Sequence, residues 1–229
     1  MWNGIVHALW GVIVEHRHEY DWKVRPTAHQ GLKKLIGDET VAGVFAHRTK
    51  VETNKALRAE LGKLLRRDEH SIQAGRWIVS EWGGIRRGVA AVEGWIGELS
   101  GFNDEAIATF VKQHREHRIS SWSKLLAFAL PSRHAIYDAR TAVALNCALA
   151  SVEDARRFHM PTSRNKIIRL AQTKLKSAPP QADTTLGYDE YLLFLRAVVE
   201  HDLSPSILEA EMALFANAPV VADQFSDPK

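Results

Sequence analysis

Cysteine is almost missing from this chain: 229 residues contain one, Cys147. A lone cysteine excludes an internal disulfide framework, a four-cysteine zinc site and a four-cysteine iron–sulfur cluster. Cys147 lies in the apolar run TAVALNCALA and reads as a small buried hydrophobe. Long apolar runs are missing as well. Nothing approaches the roughly 18 uncharged residues of a membrane span, so no transmembrane helix and no membrane partner are expected. The apolar opening MWNGIVHALW lacks a basic leader and a small-residue cleavage site, so no signal peptide is expected and the expected location is the cytoplasm. Alternating β-branched runs, heptad arrays and internal repeats are also absent, which leaves little from which to build a sheet.

Charge of one sign is not in excess: 30 Lys+Arg face 27 Asp+Glu, for a net charge of +3. The pI near 9.0 permits nucleic-acid binding without demanding it. The distribution is more informative. Basic residues crowd KQHREHR at 112–118 and recur as Arg156, Arg157, Arg164, Lys166, Arg169, Lys174 and Lys176. Such clusters are solvated faces or phosphate contacts. Several other groups carry no chemistry. His16 and His18 stand two apart and point away from each other on a helix. His114 and His117 share a face but lack a third ligand, so neither a metal nor a cofactor is expected. Trp77, Trp82 and Trp95 read as core, and Gly83-Gly84 lacks the Lys-Ser/Thr of a phosphate loop.

What is present is a helical pattern. Hydrophobic residues make up 45% of the chain and recur at spacings of three and four, which predicts an all-α fold. Helices are predicted at about 5–20, 39–66 (one or two), 69–82, 104–115, 121–130, 138–150, 163–176, 188–201 and 205–216. Arg25-Pro26-Thr27 is read as a break, Gly83-Gly84 as a stop, PPQAD at 179–183 as a loop, and Pro205 as a first-turn residue. The expected organisation is a single helical domain over 1–218, with two lobes around a cleft as the alternative and a frayed tail over 219–229.

The stretch 104–149 carries the candidate chemistry. Ser120 or Ser121 is a natural N-cap, which places Lys124 in the first turn of its helix. A cation there opposes the helix dipole, and desolvation would push its amine toward a nucleophile. Asp138 falls where the next helix begins, so its carboxylate can accept backbone N–H groups. From Lys124 to Leu130 a helix rises only about 9 Å, whereas the connection 131–137 can span roughly 23 Å. The chain can therefore bring Asp138 back to the mouth of the Lys124 helix.

SSWSKLLAF and AIYDARTAVAL resemble the hairpin helix and catalytic helix of the helix–hairpin–helix DNA glycosylase superfamily. The closer resemblance is to the compact 8-oxoguanine-glycosylase-fold proteins found in bacterial anti-phage defence loci. It covers about a fifth of the chain. Trp122 and Ser120 stand where the family has hairpin glycines, and Arg140 where many relatives carry histidine. The resemblance implies a DNA glycosylase/lyase acting on a modified, 8-oxoguanine-like purine. Lys124 would form a Schiff base at C1′, and Asp138 would stabilise the sugar cation. Arg118, Ser120, Trp122, Arg140, Arg164 and Lys166 become the expected contacts to DNA, or to RNA or a modified nucleotide in its place. Protein partners from a defence system are also implied. The alternative is a non-catalytic nucleic-acid- or nucleotide-binding module, or a regulator, that retains the fold.

Overall fold

The structure is a computed structural model that describes residues 2–16, 20–67, 69–177 and 185–226. Among these the protein is all-α, with twelve α-helices and one pair of two-residue strands. It divides into two compact units: Asp21–Ile136, and Met1–Tyr20 together with Tyr137–Lys229.

The discontinuous unit starts with α1 (Asn3–His16). The first unit then follows without interruption. Pro26 opens α2 (Pro26–Ile36) rather than ending anything, because its missing N–H costs nothing at the first helical position. After α3 (Asp38–Phe45), the helix α4 (Lys50–Leu65) begins at a capping box formed by Thr49 and Glu52. Leu57, Leu61 and Leu65 recur every four residues and are buried, giving α4 one apolar face. Then come α5 (Ser71–Trp77), a π-helical turn (Ile78–Trp82), a 3₁₀ turn (Arg86–Ala91) and α6 (Val92–Glu98). Helices α7 (Asp104–His114) and α8 (Ile119–Ala129) complete the unit. Gly62 lets α4 approach the α8 backbone closely, since a Cβ there would strike the Phe128 carbonyl. Trp77, Trp82 and Trp95 are buried, as expected.

The other unit continues with α9 (Ala139–Ser151), α10 (Lys166–Ser177), α11 (Tyr188–Glu200) and α12 (Ile207–Ser226). Helix α1 packs against α9, α11 and α12, and the Trp10 indole donates to the Leu203 carbonyl at 2.7 Å. Trp2 stacks on Phe158 with ring centroids 6.0 Å apart. Cys147 is buried, and burial pushes its thiol up to about 12.

Helices α2 and α6 stand where no helix is predicted, and further features of the C-terminal half differ from the expected pattern. β1 (Arg157–Phe158) pairs in parallel with β2 (Thr185–Leu186), strands too short to show a period-two pattern. Pro205 precedes rather than enters the last helix, and the Ser206 hydroxyl accepts from Glu209 N–H at 3.2 Å. That helix also runs through Pro219 to Ser226, past the expected start of fraying. Val221 and Ala222 are buried there, which offsets the lost hydrogen bond of an internal proline. The PPQAD loop, and Arg17 and His18 of the His16–His18 pair, lie outside the described residues.

Candidate functional site

The Asp21–Ile136 unit contains the candidate amine. Helix α7 is capped by Asn103, whose Oδ1 accepts from Ala106 N–H at 2.9 Å. The link to α8 turns through Arg115 and Arg118, both with positive φ (42° and 53°). Helix α8 begins at Ile119, with left-handed Arg118 as its N-cap residue, so Ser120 and Ser121 lie inside the helix and do not cap it. The upstream start has a packing cause: Ile119 and Trp122 share a face at i,i+3 and both are buried. Lys124 therefore stands in the second turn, not the first.

Lys124 is buried (5% exposed), and its Nζ donates to the Ser120 carbonyl one turn back. Its stem crosses Gly83, directly after the π turn. A Cβ on Gly83 would stand 2.7 Å from Lys124 Cε and 2.9 Å from Cδ. Ser121 is buried beside Gly88 in the same way, its Oγ 2.7 Å from where a Cβ would be. Below, Trp82 meets Phe128 edge-on at 5.0 Å and donates to Asn54 Oδ1 at 3.1 Å. The buried Arg58 guanidinium lies over both rings, 5.9 Å from Trp82 and 5.3 Å from Phe128.

The other unit, taken by itself, contains a fixed carboxylate. Asp138 caps α9 as the sequence predicts: Oδ1 accepts from Arg140 N–H at 2.8 Å and from Thr141 N–H at 3.1 Å. The Asp138 N–H in turn donates to Thr141 Oγ1 at 3.0 Å, which fixes the residue from both sides. Tyr137 is buried and donates to the His159 carbonyl at 2.5 Å. The Arg140 guanidinium lies 4.4 Å from the centre of the Phe215 ring on α12.

Two residues of this unit were not singled out from the sequence. Tyr191 is wholly buried, and burial raises its phenol well above the usual range, with the Glu211 charge next and Asp138 further down. Glu211 is itself buried on α12, one turn before Phe215. The sequence carried a signal for it: Ile207, Glu211, Leu214 and Ala218 keep helical spacing, and an acid interrupts an otherwise apolar stripe.

The remaining expected contacts separate. Arg118, Arg164 and Lys166 are exposed, and Ser120 and Arg140 are half-buried. Trp122 is corrected: it is wholly buried and its indole donates to the His117 carbonyl at 3.0 Å, so it presents no ring to a base. The basic cluster 156–176 also divides. Arg156 forms a two-pronged pair with Asp154 (2.6 and 3.0 Å), and Arg157 donates to the Asp154 and Arg156 carbonyls. Lys166, Arg169, Lys174 and Lys176 instead line the outward side of α10, a helix without an acidic residue. His114 pairs with Glu98 at 2.7 Å and packs on Phe110, which accounts for its place on α7 structurally. No helix among the described residues is long and apolar enough to cross a membrane. Comparison with known proteins returned no matching family, curated protein or solved structure.

Proposed function

We propose that the protein is a glycosylase/lyase acting on a modified purine in nucleic acid, with Lys124 as the nucleophile. The burial of Lys124 on α8, just after a tight two-helix turn, carries this reading. A nucleophilic lysine must be neutral to react, and removal from water disfavours the ammonium form. In the proposed reaction Nζ attacks C1′ of the sugar, the C1′–N bond breaks, and the base leaves with the electron pair and takes up a proton. As the imine forms, the C1′–O4′ bond breaks and opens the sugar ring, O4′ takes a proton and the lysine nitrogen gives up its own. Loss of a C2′ proton then expels the 3′ phosphate by β-elimination. Asp138, held by two backbone donors, takes from the family resemblance alone the role of stabilising the sugar cation. The resemblance to defence-locus proteins extends the proposal to damaged or modified phage nucleic acid.

The direct test is strand cleavage of duplex oligonucleotides carrying one 8-oxoguanine or one abasic site. The expected product ends in an unsaturated sugar aldehyde; intact strands across DNA and RNA substrates would contradict the proposal. Asp138→Asn should lower the cleavage rate at least tenfold. It should also cost about 0.5–1 kcal/mol, since the amide keeps part of a cap worth roughly 0.5–2 kcal/mol. Full activity in that variant would remove Asp138 from the mechanism.

The exposed cations predict how nucleic acid is held. Affinity should fall steeply with salt, and Arg164→Ala or Lys166→Ala should each reduce the salt slope by about one, for every sequence alike. Salt-independent binding would remove α10 from the interface. One observation favours a second reading, a binding module without chemistry: the turn 115–118 contains no glycine whose amides could approach a phosphate.

A further inference from the structure

We propose that Gly83 is a positioning residue for Lys124: the π turn delivers a side-chain-free stretch of backbone over which the lysine stem runs. The effect on catalysis rests on the reading of Lys124 as nucleophile; the spatial requirement does not.

Glycine occurs where backbone conformation demands it or where space does. At Gly84 conformation is enough, because φ is +66°. At Gly83 it is not: φ is −81°, open to any residue. The requirement is space. A Cβ would meet Lys124 Cε at 2.7 Å, Lys124 Cδ at 2.9 Å and the Val79 carbonyl at 2.8 Å.

The π turn explains why the floor cannot withdraw. Gly83 N–H bonds back five residues to the Ile78 carbonyl at 2.9 Å, and Ile85 N–H takes the Val79 carbonyl at 3.0 Å. A π turn inserts one residue into a helix, and such turns recur at functional sites. Here it sends Trp82 into the core against Phe128 and Asn54 and leaves Gly83 under the lysine. Phe128 lies on α8 one turn beyond Lys124, so the floor and the lysine are tied to the same helix. A methyl at position 83 must push Cδ and Cε aside and draw the amine away from the Ser120 carbonyl.

The test is a double-mutant cycle with an activity arm. Gly83→Ala should lower the melting temperature in the wild-type background, and the part of that loss due to the displaced stem should vanish in a Lys124→Ala background, where only the Val79 carbonyl contact remains. An equal loss in both backgrounds, or unfolding in both, overturns the proposal, because the Val79 carbonyl would then set the requirement. In the activity arm, borohydride capture of an abasic duplex should slow roughly 100-fold in Gly83→Ala, the scale expected for a reacting group misplaced by about 1 Å. Its pH–rate profile should also be displaced, which a purely structural loss would not produce. Capture at the wild-type rate and with the wild-type profile overturns the positioning role and leaves the lyase reading standing. Coupling in the cycle without any wild-type capture upholds the positioning and overturns the lyase reading.

Discussion

Lys124→Gln should abolish strand cleavage and borohydride capture, a loss of at least roughly a thousandfold, while leaving the fold intact. Glutamine suits this test because it removes the nucleophile and little else. Its stem fits the space over Gly83 that the lysine now fills, and its amide can still donate toward the Ser120 carbonyl. Its amide nitrogen cannot form an imine. Stability should change by no more than about 1 kcal/mol, because glutamine keeps most of the buried volume and a donor for the Ser120 carbonyl. Cleavage that persists in this variant would assign the chemistry to another amine. A variant that fails to fold would mean that the amine's charge is structural, which argues for the binding module.

The largest stability effect is expected in the other unit. Asn146→Ala should destabilise the protein by roughly 2–5 kcal/mol. Asn146 is wholly buried on α9, and its amide closes a two-bond pair with the Phe158 backbone. Nδ2 donates to the Phe158 carbonyl at 2.9 Å, and Oδ1 accepts from Phe158 N–H at 2.8 Å. Phe158 belongs to β1, which among the described residues has only β2 as a strand partner, so Asn146 serves as a surrogate strand. Alanine would leave both backbone groups without their partner in an apolar interior, each at about 1–3 kcal/mol. Thermal unfolding should shift downward by on the order of 10 °C, given about 2–4 °C per kcal/mol for a chain of this size. A shift of only a degree or two would mean that water or a backbone rearrangement takes over both bonds.

Much of the helical frame was legible because its signals are local. Asp138 is a capping side chain followed by apolar periodicity, and it caps the predicted helix. The Gly83-Gly84 stop and the buried tryptophans followed from composition and spacing alone. What escaped depends on tertiary contacts. The start of α8 was placed at a serine because serine is the better cap, but burial of Ile119 and Trp122 moves it upstream to Arg118. That shift takes Lys124 out of the first turn, and its candidacy now rests on burial, not on the helix dipole. Trp122 resembled a substrate contact only while its neighbours were unknown. Gly83 resembled a stop signal, since nothing in the sequence tells that a lysine 41 positions later crosses it. The joining of Met1–Tyr20 to the C-terminal half was equally invisible, because α1 carries no pattern that names its partners.

The central claim is that one particular amine becomes bonded to a sugar carbon. Borohydride reduction during turnover of an abasic or 8-oxoguanine duplex, followed by peptide mass mapping of the crosslinked protein, reads that bond directly. The expected result is a single adduct on the peptide containing Lys124, absent from Lys124→Gln and from reactions without borohydride. An adduct on any other lysine or on the N-terminal amine, or no adduct with any damaged nucleic acid, would contradict the account.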